Sequence, residues 1–188
     1  MPRRKTLSDD DLLDRALYVM RRVGPEGVTF AAVAAETGLS PATLVQRFGT
    51  KNALLHAALV RAWDLLDERT RLAIDVAPAG PGGAIALLVA LSEDFSGEAD
   101  YAEGLLVLRE DMRDAELRER GVRWGEVLAE AVGARLADGF GPRLDLGRLM
   151  IAQWQGITLW WGFSRQGVLP DVVARELTAF CRAIGCEV

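Results

Sequence analysis

The sequence contains few of the residues that build metal sites or disulfide frameworks. Its 188 residues include two cysteines and one histidine, His56. Zinc and di-iron sites need several Cys, His or carboxylate ligands at short spacings, and the chain has no Cys-x-x-Cys or Glu-x-x-His pair, so we expect no metal and no cofactor. Cys181 and Cys186 are five residues apart and would face different sides of a helix, so we expect no disulfide and a reducing compartment.

Long apolar runs are also missing. No stretch approaches the ~20 apolar residues of a membrane span, and the basic start Met1–Lys5 is not followed by the apolar segment of a signal peptide. We therefore expect a soluble, cytoplasmic protein with no membrane partner. The segment Gly80–Gly83 lacks the Lys and Ser or Thr of a phosphate-binding loop, and no nucleophile elbow is present, so we assign no catalytic residue and expect no enzyme.

The charge of the chain is distributed unevenly. The net charge is −5, but residues 1–61 carry nine basic and six acidic side chains, a net of +3, which leaves −8 for residues 62–188. A basic head on an acidic body is the pattern expected of a DNA-contacting head, because the phosphate backbone attracts positive charge.

The hydrophobic pattern is helical throughout, with no stretch of period-two alternation, and predicts an all-α fold of about nine helices. We expect a first helix from Ser8 to the Gly24–Gly27 stop, followed by helices at about 30–37, 41–48, 51–74, 83–95, 100–113, 115–137, 144–166 and 170–184. The eighth helix is apolar on two stripes, one with Met150, Trp154 and Trp161, and the other with Gly156, Trp160 and Phe163. A helix with two apolar stripes must be buried on more than one side, which favours a dimer interface in the last two helices.

Residues Thr29–Phe48 have the layout of a helix-turn-helix. Thr29 is a plausible N-cap, Gly38 allows the left-handed turn, and Ser40-Pro41 opens the second helix with a favoured N-cap and first residue. Such a second helix enters the major groove of DNA while the first braces it. The packing set between the two helices is predicted to be Val33, Ala34, Leu39, Leu44 and Phe48.

The motif Val33-Ala-x-x-x-Gly38-x-Ser40-x-x-Thr43-Leu44-x-x-x-Phe48-x-x-Lys51-x-x-Leu54-Leu55 closely resembles the N-terminal domain of TetR-family regulators. The resemblance covers about residues 8–60. It implies a three-helix DNA-binding domain at 1–60 and a helical-bundle ligand-binding and dimerisation domain at 61–188. It also implies a homodimer paired through the last two helices, which represses a promoter at a palindromic operator and releases it when a small-molecule effector binds.

The candidate DNA-binding residues are the exposed positions of the second helix and the residues at nearby helix starts: Thr29, Ser40, Pro41, Ala42, Thr43, Val45, Gln46, Arg47 and Lys51. Gln can pair with adenine and Arg with guanine, and which of Gln46 and Arg47 reads a base is left open. Thr29 is equally well explained as a helix cap alone. Family members often have Tyr where this chain has Val45, and Val cannot donate a hydrogen bond to a phosphate.

Aromatic and apolar residues of the body are candidates for an apolar or aromatic effector site: Phe95, Met112, Trp124, Met150, Trp154, Ile157, Thr158 and Trp161. For each of them, plain packing in the core or dimer interface is the competing interpretation. The single histidine, His56, is interpreted as a packing or surface residue. An alternative for the whole chain is a helical interaction protein whose DNA-binding domain is vestigial.

Overall fold

The computed structural model describes residues 7–93 and 98–186. The all-α prediction is confirmed, because these residues form nine helices and no strand. The helices are α1 (Asp9–Gly27), α2 (Phe30–Thr37), α3 (Pro41–Phe48), α4 (Lys51–Val76), α5 (Pro81–Ala90), α6 (Glu98–Arg113), α7 (Ala115–Arg135), α8 (Leu144–Ser164) and α9 (Leu169–Ala183).

The first helix departs from its prediction at its C-terminal end. The Gly24–Gly27 stop was expected to end it, but α1 continues to Gly27 across a kink at Gly24, whose φ is 70°. Pro25 begins the turn that follows the kink, where its fixed φ suits a helix start and its missing N–H costs nothing. The stop signal is therefore real: the regular helix is broken at Gly24, and the residues from Pro25 to Gly27 add one further turn after the kink.

The short helices begin and end where the capping residues predict. The Thr29 hydroxyl accepts from the amide of Ala32 at 3.0 Å, and the Ser40 hydroxyl accepts from the amide of Thr43 at 3.1 Å. Thr50 caps α4 by accepting from the amide of Ala53 at 3.1 Å. Gly38 ends α2 at φ 70°, a conformation that glycine adopts without the clash of a side chain.

The described residues form two compact units. The first combines the chain up to Leu66 with Glu103–Arg118, and the second combines Asp67–Ala102 with Glu119 onward. The C-terminal part of α6 and the start of α7 thus pack with the N-terminal helices. Asp114 joins α6 to α7 and caps α7, because its Oδ1 accepts from the amides of Glu116 and Leu117 at 2.9 and 3.1 Å.

The core of the second unit is built from α5, α7, α8 and α9. Its fully buried side chains include Leu88, Leu128, Met150 and Leu177. Helices α7 and α8 approach closely at Gly147, where an added Cβ would lie 2.2 Å from the carbonyl oxygen of Ala129. One apolar stripe of α8 is buried here, which confirms half of the pattern seen in the sequence.

No helix in the described part of the chain combines the length and apolar character that crossing a bilayer requires.

Candidate nucleic-acid interface

The helix-turn-helix is held together by a small apolar core. Val33 and Leu44 are fully buried and Ala34 nearly so, while Leu39 and Phe48 are half-buried. Helix α2 packs against both α1 and α3. Because Leu44 lies in the middle of α3 and is buried against this core, the opposite side of α3 is fixed toward solvent.

The solvent side of α3 carries the side chains that the sequence assigned to DNA contact. Pro41, Ala42, Val45 and Gln46 are exposed, and Thr43 is half-buried. Val45 is 45% exposed, so an apolar group stands in the middle of this face. A Val at this place can touch a thymine methyl but offers no hydrogen bond to a phosphate.

The hydroxyl groups at the helix starts already have intramolecular partners. Thr29 and Ser40 are N-caps, and the Ser40 and Thr43 hydroxyl oxygens lie 2.9 Å apart in a hydrogen bond. Thr29 is therefore a helix cap, as the sequence predicts. Contact of these three hydroxyls with DNA stays a prediction, and each could share its oxygen with a phosphate through a second hydrogen bond.

Arg47, in the last turn of α3, forms an ion pair with a residue at the start of α1. Its Nη1 donates to Oδ1 of Asp9, in the first turn of α1, at 2.9 Å. The Arg47 side chain is 29% exposed and that of Asp9 is 77% exposed. The sequence places these residues 38 positions apart, so no local pattern could have revealed the pair.

Lys51, at the start of α4, is anchored at the kinked end of α1. Its Nζ donates to the carbonyl oxygen of Glu26 at 2.7 Å. The carboxylate of Glu26 in turn accepts from Nη2 of Arg109 on α6 at 3.1 Å. The ammonium group of Lys51 retains further protons to donate, so anchoring to Glu26 is compatible with a phosphate contact.

The junction of α6 and α7 lies beside α4 within the first unit. Nε2 of His56 is 3.7 Å from Asp114 and 3.4 Å from Glu116. Further along α4, Nε1 of Trp63 donates to Asp111 at 3.2 Å. Burial raises the pKa of the Asp111 carboxyl to about 6, against the hydrogen bond from Trp63, which lowers it.

The candidate effector residues are divided between the two units. Met150, Trp154, Ile157, Thr158 and Trp161 are buried on α8 in the core of the second unit, and Trp124 is half-buried on α7. Met112 belongs to the first unit, where it is 61% exposed. Phe95 lies outside the described residues.

The indole N–H groups of the three tryptophans named above have acceptors inside the second unit. Trp154 donates to the Ser92 hydroxyl and Trp124 to the Thr70 hydroxyl, each at 2.8 Å, and Trp161 donates to the Gly167 carbonyl at 3.0 Å. The indole N–H groups of these side chains are therefore already used within the protein.

A groove of about 480 Å³ opens on the surface of the second unit between α4 and α7. Trp124, Ile74 and Val127 give it an apolar floor, and three arginines stand around it. The lining residues are Asp67, Thr70, Arg71, Ile74, Arg120, Arg123, Trp124 and Val127. All three arginines already have a carboxylate partner: Arg120 lies 2.7 Å from Asp67, Arg71 lies 2.7 Å from Asp75, and Arg123 lies 3.9 Å from Glu119.

Comparison with known proteins identifies the N-terminal segment. Residues 12–58 match the family model described as "Bacterial regulatory proteins, tetR family". No curated protein matches the full sequence significantly.

Solved structures resemble most of the chain. One is a Saccharomonospora viridis protein in complex with choline, with a TM-score of 0.73 at 20% identity over 94% of this chain and 96% of that one. PfmR, a TetR-family regulator of Thermus thermophilus, has a TM-score of 0.62 at 20% identity over 91% and 97%. FadR of Bacillus subtilis in complex with stearoyl-CoA has a TM-score of 0.65 at 15% identity over 88% and 94%. At these identities the likeness shows a shared fold.

Proposed function

We propose that this chain, whose residues 12–58 match the model of tetR-family bacterial regulatory proteins, is a dimeric, cytoplasmic transcriptional repressor without enzymatic activity. It binds a palindromic operator through α3 and leaves it when a small-molecule effector binds the second unit. The observation that carries this function is the buried Leu44, which fixes α3 with Val45 and Gln46 toward solvent.

Recognition is divided between base-reading and anchoring side chains. Gln46 and Arg47 on α3 are the candidates for base contacts, and Thr29, Ser40, Thr43 and Lys51 are the candidates for phosphate contacts. A helix of this size in one protomer reads only a few base pairs. Two copies related by a two-fold axis double the contact area and require two half-sites.

The groove beside Trp124 supports an effector with an apolar or aromatic body. Four of its lining residues, Asp67, Thr70, Arg71 and Ile74, lie on α4, one of the helices that contribute residues to both units. A ligand bound there would contact α4 directly. If α4 has two positions that differ in affinity for the ligand, ligand binding raises the population of the position with the higher affinity. Proteins of similar fold bind choline and stearoyl-CoA, so the fold accepts ligands of very different size.

The second apolar stripe of α8 supports the dimer. Leu149, Trp160 and Phe163 are exposed, at 56%, 71% and 76%, and Gly156 lies between them where a facing helix could approach. This stripe lies beside the stripe that contains the buried Met150 and Trp154, and it faces solvent. Exposed aromatic side chains in a row of this kind mark a protein–protein contact more often than free surface.

The proposal is tested by DNA binding in a salt series, with duplex DNA from upstream of the gene that encodes the chain. Arg47→Ala and Lys51→Ala are both expected to weaken binding. Lys51→Ala should also reduce the slope of log affinity against log salt by about 0.9 for each lost phosphate contact, with little change in sequence preference. Arg113→Ala, which removes the same charge from an exposed site on α6, is the matched control.

Equal binding by wild type and the double variant Arg47→Ala/Lys51→Ala would remove these two residues from the interface. Wild-type protein that retards no upstream DNA at any salt concentration would favour the alternative of a helical interaction protein. That alternative is supported by the intramolecular bonding of both cations and by the apolar side chain at Val45.

A further inference from the structure

The three acids in the first turn of α1 have three different partners. Asp9 accepts from Arg47, Asp10 lies 3.3 Å from Arg61, and Asp11 accepts from the Ser8 hydroxyl at 2.7 Å. All three are exposed and all three complement the dipole of α1 to a similar degree. Asp9 differs from its neighbours because its partner is on the recognition helix.

The ion pair with Asp9 uses the guanidinium group of Arg47, which is the group that would contact DNA. A guanidinium binds a carboxylate and a phosphate through the same fork of N–H donors. With Nη1 committed to Asp9 at 2.9 Å, Arg47 can meet a phosphate or a guanine fully only by giving up that hydrogen bond. Surface ion pairs are weak in water, so the exchange is feasible.

After the exchange, the Asp9 carboxylate stays beside the DNA. It is 77% exposed, and its helix position keeps it within a side-chain length of the end of α3. A carboxylate at that distance from a phosphate repels it, and this repulsion is strongest at low ionic strength.

We infer that Asp9 competes with DNA for Arg47 and thereby lowers the affinity of the chain for DNA. The inference rests on the proposed DNA-binding function. In the free protein, the Asp9 carboxylate binds Arg47 as a DNA phosphate would. Binding to DNA therefore needs other contacts of α3 to offset the loss of this hydrogen bond. Asp9 is therefore a determinant of affinity that contributes no contact of its own to DNA.

The test compares Asp9→Asn with Asp10→Asn. Both variants gain one unit of charge in the same helical turn, and both lose the same interaction with the helix dipole. Asp10→Asn leaves Arg61 with Asp14, at 2.8 Å, so it releases no cation next to α3. The pair of variants thus separates the release of Arg47 from a general change in net charge.

The measurement is the affinity for a short random-sequence duplex and for the upstream duplex, by fluorescence anisotropy in a salt series. At low salt Asp9→Asn is expected to bind both duplexes about fivefold more tightly than Asp10→Asn, and the difference should shrink as salt is added. In an Arg47→Ala background the two variants should bind alike. Asp9→Glu, which retains the carboxylate, should behave like wild type.

Equal affinities of Asp9→Asn and Asp10→Asn would overturn the inference, since net charge alone would then explain both. Weaker binding by Asp9→Asn would also overturn it, because the pair would then be a brace that orients α3. Thermal unfolding of both variants identifies any loss of folding. If wild type binds neither duplex, the proposed function is wrong. If wild type binds but the two variants do not differ, only the inference about Asp9 is wrong.

Discussion

Among single side chains, Asp111 has a carboxyl group that stays protonated in the folded chain at pH values where an ordinary Asp carboxyl is ionised. Burial beside Trp63 raises its pKa from 3.8 to about 6, and the nearby carboxylates of Asp114 and Glu110 add to the rise. Between those two pH values the folded chain holds a proton that the unfolded chain has lost. Stability contributed by this group therefore falls as the pH rises through that window.

Replacing this carboxyl is expected to stabilise the chain at neutral pH. Asp111→Asn should raise the free energy of unfolding at pH 7 by on the order of 1 kcal/mol, after allowance for solvent screening of a partly exposed group. The amide oxygen can still accept from Trp63, and no charge has to be buried. Urea unfolding from pH 4 to pH 7 measures the effect, and the gain should vanish toward pH 4.

Asp145 provides a control of opposite sign. Its hydrogen bond from Arg143 lowers its pKa to about 2, so its contribution is present above its usual pKa and is lost as the pH falls toward 2. Asp145→Asn should therefore lose stability at pH 7, not gain it. A gain for Asp111→Asn that grew toward acid pH would contradict the burial argument.

For whole helices, the turn between α2 and α3 depends on one glycine. Gly38 has φ 70° and nothing within 4 Å of the place where a Cβ would be, so a substitution there costs backbone strain and no steric contact. Gly38→Ala should lower the free energy of unfolding by about 1 kcal/mol, because L-residues are disfavoured in the left-handed region.

The matched control is the same substitution inside a helix. Gly125 lies within α7, again with nothing within 4 Å of an added Cβ. Gly125→Ala should stabilise the chain by about 0.5–1 kcal/mol, because alanine loses less conformational entropy in a helix. Urea unfolding of both variants should give opposite signs. Equal effects would show that backbone conformation at Gly38 does not control the turn.

Local signals explain why most helices could be predicted. Thr29 and Ser40 cap the helices that the sequence assigned to them, and Gly38 ends α2 as expected. Each signal acts within about one helical turn and is visible in a short window of sequence. Gly24 breaks the first helix as the sequence predicted, and the extra turn from Pro25 to Gly27 was not foreseen because Pro can begin a helical turn as well as end one.

At the scale of the whole molecule, the contacts between helices that are distant in sequence could not be predicted. The pairing of α6 and the start of α7 with the N-terminal helices joins residues such as Arg109 and Glu26, 83 positions apart. The Asp9–Arg47 pair is likewise a product of tertiary packing. Such contacts depend on which helix faces meet, and hydrophobic periodicity fixes the apolar face of a helix but not its neighbour.

The exposed apolar stripe of α8, which contains Trp160 and Phe163, is the reason that we expect a dimer. The rings of Trp160 and Phe163 pack against each other in a tilted arrangement, with 5.6 Å between their centroids, on a face that the described residues leave exposed. A charged residue in the middle of this stripe would have to be desolvated if the stripe were buried against a second copy. Phe140, in the turn between α7 and α8, is a fully exposed aromatic outside the stripe and serves as the matched control.

Footprinting of the upstream DNA tests the central claim, a dimer that reads two half-sites, with wild type, Trp160→Asp and Phe140→Asp. Wild type and Phe140→Asp are expected to protect two symmetry-related half-sites whose centres lie about 10 base pairs or a multiple apart, on one face of the duplex. Trp160→Asp should elute as a monomer in size-exclusion chromatography and lose this protection. Undisturbed protection by a monomeric Trp160→Asp, or no protected site with wild type, would contradict the claim.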